Sequence, residues 1–173
     1  MYYLLNKPRV VEELSTICSD TKQLLWWMRL HIRKTSDSGS IKSPQETLEY
    51  RCGSNLEFAW MFAEIVTTLN EECYVVTVKG EFDSSACFFY DDNNTLQCMS
   101  NRWTLRGCGE GIESSIEYID RHWSRWVEWA PINGKLVPIK PHYRDGSERY
   151  ERSEDARGYL LPGRRVHDLS GAF

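Results

Sequence analysis

SPQETLEYRCGSNLEFAWMFAEI, residues 43–65, holds two helix starts in succession. Ser43 precedes Pro44 with Glu46 three residues on, the order of an N-cap, a first-turn proline and a capping box. Cys52-Gly53 closes that short helix, and Ser54 with Glu57 repeats the capping logic. Behind it Phe58, Phe62, Ile65, Val66 and Leu69 form a stripe at helical spacing, while Ala59 and Ala63 give a smooth flank where another element can approach. The pattern predicts a central amphipathic helix.

On the N-terminal side, Val10, Leu14 and Ile17, then Leu24, Leu25, Met28 and Ile32, recur at helical spacing around a break at Ser19-Asp20, which predicts two short helices. Trp26 and Trp27 point about 100° apart on the second helix and are read as core, under a broad cover. Residues 35–43 have the small polar composition of a loop.

On the C-terminal side the pattern becomes that of strands. Tyr74–Val78, Ala86–Tyr90 and Thr95–Met99 are rich in β-branched and aromatic residues, and Asp91–Asn94 has the turn chemistry of an antiparallel hairpin. From Ile112 to Trp129, apolar residues at Ile112, Ile116, Ile119, Trp123 and Trp126 predict a second long helix, Trp-rich and ended by Pro131. Ile132–Leu136 reads as a hairpin, the mixed charges of Arg144–Arg157 as a solvated helix, and Gly158–Phe173 as a peripheral tail. The expected class is α+β, with one domain over residues 1–130 and a peripheral, partly extended segment over 131–173.

Composition excludes several functions. In 173 residues, 41% hydrophobic and 13% aromatic, there is enough for one packed core. A net charge of −4 argues against broad phosphate-backbone binding, and no run approaches the ~18 apolar residues of a membrane span. No basic-then-apolar leader opens the chain, so a cytoplasmic protein is expected, in which the sequon at Asn93-Asn94-Thr95 carries no weight. The six cysteines, Cys18, Cys52, Cys73, Cys87, Cys98 and Cys108, lack the close pairing of zinc ligands and suit reduced thiols; no metal or other cofactor is expected. Gly107–Gly111 is a glycine-rich turn before a helix without the lysine of a phosphate loop, and is read as a plain loop.

Between residues 51 and 101 the chain resembles the transglutaminase-like branch of the papain-type cysteine enzymes. The stretches that carry the resemblance are Gly53-Ser54-Asn55-Leu56-Glu57-Phe58-Ala59, Ser85-Ala86-Cys87 and Met99-Ser100-Asn101. In that family they hold a Gly-x-Cys-x-x-Phe-Ala helix start, a His-Ala-Trp strand start and an acidic residue ending the next strand. A thiolate held at a helix N-terminus, an imidazole and an orienting carboxylate make the reactive set. Here Asn55, Ser85 and Ser100 or Asn101 stand in those places, so the resemblance implies a groove without its chemistry.

The expected function is therefore that of an inactive transglutaminase-like domain that binds another protein, as an inhibitor or regulator of a host protein encoded by a bacterium or virus. The candidate contacts are Trp60, Trp103 and Trp129. Two alternatives remain open. One is a cysteine hydrolase or acyltransferase using Cys52 or Cys87 with His122 or His142, assembled by tertiary folding. The other is a nucleic-acid binder using Arg102, Arg106, Arg164 and Arg165.

Overall fold

The computed structural model describes residues 2–36, 39–68, 72–102, 104–108 and 110–146. After a 3₁₀ turn at Tyr2–Leu5 come α1 (Glu13–Ile17), α2 (Thr21–His31), a short β1 (Arg33–Lys34), α3 (Pro44–Tyr50), β2 (Cys52–Gly53) and α4 (Asn55–Thr68). Strands β3 (Cys73–Lys79), β4 (Ser84–Tyr90), β5 (Leu96–Ser100) and β6 (Thr104–Gly107) follow. Then come α5 (Ile112–Ile119), β7 (Arg125–Ile132) and β8 (Lys135–Tyr143). The class is α+β: β1 and β2 pair in parallel, and the other six strands form an antiparallel sheet in the order β6-β5-β4-β3-β7-β8.

Side chains set the helix starts. Asp20 caps α2 by accepting from the Gln23 N–H at 2.8 Å. Ser43 and Glu46 close a reciprocal capping box on α3. At α4 the Glu57 N–H donates to Ser54 Oγ at 3.3 Å, and the Glu57 carboxylate accepts the Ser54 N–H at 2.7 Å. That carboxylate also takes the backbone and ammonium of Lys42, so a nearly fully buried charge has its hydrogen bonds.

Helix α4 is buried on almost every side, from Phe58 through Val66. It lies between the N-terminal helices and one face of the sheet, which contributes Val75, Cys87, Phe89 and Met99 to the same core. The opposite face carries Val76, Val78, Phe88, Cys98 and Trp126, covered by Ile116 of α5. The molecule thus has three layers, with two cores separated by the sheet.

Three sequence expectations need correction. The long helix over 112–129 is α5 followed by β7, because Asp120 accepts the His122 N–H at 2.7 Å and that of Phe82 at 3.3 Å, turning the chain after Ile119. Trp126 and Trp129 then lie on opposite faces of the sheet rather than on one helical stripe. Residues 131–143 are not peripheral: Leu136 and Val137 are buried, and β8 runs beside β7 through an Asn133-Gly134 turn with φ of 51° and 73°. Pro131 sits within β7, beyond the part paired with β3, so its missing N–H costs no bond on that side. In β8, Pro138 pairs with Trp129 and Lys140 with Glu128, a bulge that puts one extra residue on the edge strand. Finally, Trp27 is fully buried whereas Trp26 is 56% exposed. The expectations for 147–173 lie outside the described residues.

Candidate functional site

The first turn of α4, the start of β4 and the end of β5 converge on one polar cluster. Asn55 Nδ2 donates to Asn101 Oδ1 at 3.4 Å, and the Ser85 N–H donates to the same oxygen at 3.0 Å. Asn101 Nδ2 donates to Ser84 Oγ at 2.9 Å, and its backbone N–H to the Ser85 carbonyl at 2.9 Å. Asn101 makes these contacts from φ 45°, a left-handed conformation that Asn tolerates better than most side chains. Asn55 Oδ1 is buried and has no hydrogen-bond partner among the described residues.

Of the four expected groove residues, Asn55, Ser85 and Asn101 are brought together. Ser100 belongs elsewhere: it pairs with Ala86 and follows Leu96 and Cys98 on the α5 side of the sheet. Ser84 joins, which no groove expectation included. Next in sequence to Asn101, Arg102 is at φ 69° and nearly fully buried, with its guanidinium 4.2 Å from the centre of the Phe58 ring. Its Nη2 donates to the Ile32 carbonyl, and burial pulls the group down to about 10.

No family model matches the chain, and no curated protein does.

The alternative catalytic set is not assembled. Cys87 is fully buried in the core beneath α4, while His142 stacks on Trp126 at 3.7 Å between ring centres on the other side of the sheet. His122 stands exposed in the turn after α5, and Cys52 is half-buried in β2 against α3 and α4. The basic set fares no better: Arg102 is interior, Arg106 donates to the Tyr118 carbonyl, and Arg164 and Arg165 lie outside the described residues. Among the described residues no group of three or more His, Cys, Asp or Glu could hold a metal, and no helix is long and apolar enough to cross a membrane.

The aromatic contacts expected for a partner also shift. Trp60 is buried, with its indole N–H unpartnered among the described residues, and Trp129 is half-buried, donating to Thr77 Oγ1 at 2.8 Å. Trp103 lies outside the described residues. Among the described residues the exposed tryptophan is Trp26; on the same face of α2, one turn on, Leu30 is 65% exposed. Arg29 lies 4.5 Å from the Trp26 ring centre. At the start of α5, Glu110, Gly111, Tyr74, Tyr90 and Trp126 line an open groove of about 580 Å³, whose acidic rim opposes an anion.

Proposed function

We propose that this chain is a non-catalytic protein-binding domain, built on the plan of a transglutaminase-like enzyme whose reactive positions hold amides and hydroxyls. The observation that supports the reading most is the contact of Asn55 with Asn101, which in turn holds Ser85. Helix start, strand start and following strand end meet in one cluster, in the order the family uses for thiol, imidazole and carboxylate. An amide is no nucleophile and a hydroxyl no base near neutral pH, so the cluster's groups serve the structure through their hydrogen bonds.

Binding falls to the surface. Trp26 and Arg29 offer an aromatic and a planar cation on one helix face, residue types that dominate binding energy at protein interfaces, and the exposed Leu30 extends that face with apolar area. Through that face the domain acts as an inhibitor or regulator of its protein partner.

Two measurements test the reading. With Asn55→Cys, the new thiol at the start of a 14-residue helix should alkylate at pH 7 several-fold faster than the same thiol in the urea-unfolded chain, because free N–H groups and the helix dipole favour the thiolate. Equal rates would remove the family parallel. A photocrosslinking residue at position 26 should couple to a discrete protein in cell extract, with Tyr118 on α5 as the control position. Turnover of activated esters or glutamine amides by the wild-type chain, lost with Cys52→Ser, would replace this reading with the enzymatic one.

A further inference from the structure

On the α5 side of the sheet, away from the Asn55–Asn101 cluster, two cysteines meet across the β5–β6 hairpin. Cys98 is opposite Arg106 in the ladder, and the Cys108 N–H donates to the Leu96 carbonyl at 2.7 Å. Residues 96, 98, 106 and 108 therefore share one face, with Cys98 and Cys108 on the diagonal. The Cys108 side chain folds back along its own strand until Sγ reaches the Arg106 carbonyl at 3.7 Å. That is the residue facing Cys98, so the two thiols occupy neighbouring positions on one face of the hairpin.

The two sulfurs differ in the way a reactive pair needs. Cys98 is 1% exposed, and donating to its neighbour while buried pushes its thiol far above the usual range. Cys108 is only half-buried; the Cys98 hydrogen bond and then the Arg106 charge bring it down to about 7, against the cost of its burial. A partly accessible sulfur whose thiolate is favoured, backed by a buried one, is the arrangement of an attacking and a resolving cysteine.

We propose that Cys98 and Cys108 form an oxidant-reactive dithiol whose co-reactant is a hydroperoxide and whose product is an intrachain disulfide across the β5–β6 hairpin. The Cys108 thiolate attacks the peroxide oxygen; the O–O bond breaks, giving Cys108 sulfenic acid and, from hydrogen peroxide, hydroxide. The Cys98 sulfur then attacks the sulfenic sulfur. An S–S bond forms, the S–O bond breaks, and the oxygen leaves as water with the Cys98 proton. Two thiols lose two electrons in all, and one peroxide becomes two waters. The bridge closes residues 98–108, the segment whose turn carries Asn101 and Arg102.

The test treats the full chain at pH 7 with a few equivalents of hydrogen peroxide, blocks remaining thiols and digests with trypsin without reductant. Because trypsin cuts after Lys79, Arg102, Arg106 and Arg121, a Cys98–Cys108 bridge joins peptide 80–102 to peptide 107–121. Fragmentation tells Cys98 from Cys87 within the first peptide. The expected result is that joined pair, two hydrogens lighter, as the main product, formed in a monomer and reversed by dithiothreitol. With Cys98→Ser, a sulfenic-acid trap should instead accumulate on Cys108. Three results would overturn the proposal, and none depends on the variant folding. Wild-type peptides 80–102 and 107–121 stay unjoined, or Cys108 bridges a second chain, or Cys108 in the native chain alkylates at pH 7 no faster than in urea.

Discussion

Asn101→Ala removes the residue on which the polar cluster turns. The Ser85 N–H loses its acceptor where Ser85 is 7% exposed, and an orphaned buried donor costs about 1–3 kcal/mol. Ser84 Oγ loses its donor, a further ~0.5–1.5 kcal/mol, and an Ala side chain at φ 45° adds about 1 kcal/mol. Allowing for water reaching the freed groups, the loss is about 2–4 kcal/mol, or roughly 5–15 °C in Tm for a domain of this size. Asn101→Gly shares the lost bonds but not the strain, so it should lie about 1 kcal/mol above Ala. Urea unfolding followed by tryptophan fluorescence gives these differences, provided the slope with denaturant is unchanged. Asn101→Ala within 0.5 kcal/mol of wild type, or Gly no better than Ala, would refute the hub role.

Glu57→Ala should cost about 2–4 kcal/mol, since it frees the buried Ser54 N–H and leaves Lys42 without its carboxylate. Lys42 is 22% exposed and can recover water, which places the expected loss below that of a fully enclosed pair; thermal unfolding measures it. His142 is held below its usual pKa, first by burial and then by Lys140, with Glu113 at 3.7 Å pulling the other way. A lowered folded pKa gives stability that is complete above the unfolded value of about 6.5 and declines as pH falls from there toward the folded value. His142→Phe keeps a ring on Trp126 and should flatten the slope of stability between pH 7 and 5; an unchanged slope would rule His142 out as its source.

The parts legible in the sequence were those whose causes are local. The starts of α3 and α4 follow from Ser43 with Glu46 and Ser54 with Glu57, whose bonds span three residues. Strands β3 to β5 follow from their branched and aromatic runs, and the β4–β5 hairpin from Asp91, which accepts the Asn93 and Thr95 N–H groups. The misreadings had distant causes. The helical spacing beyond Ile119 is real, but Asp120 is also bound by Phe82, 38 residues earlier. Which of Trp26 and Trp27 faces inward depends on the N-terminal turn, where the Asn6 carbonyl takes the Trp27 indole N–H. Asn55, Ser85 and Asn101 were marked only through a resemblance. Arg102, named from sequence only as a cation of the nucleic-acid alternative, is held by the Ile32 carbonyl, 70 residues away, and no short-range signal announces that.

The outermost strands bear on how the molecule behaves in crowded solution. A sheet of six strands ends in two rows of backbone groups, and each row invites a neighbouring chain to zip on and grow a fibril. On β8, two prolines lack the amide hydrogens that such growth needs, the bulge spoils a straight match, and Lys135 and Lys140 put like charges on any second copy. On the other side, β6 offers only four residues, too short a template to hold a stranger in register. The domain can therefore carry an exposed aromatic on α2 while both margins of its sheet resist stacking.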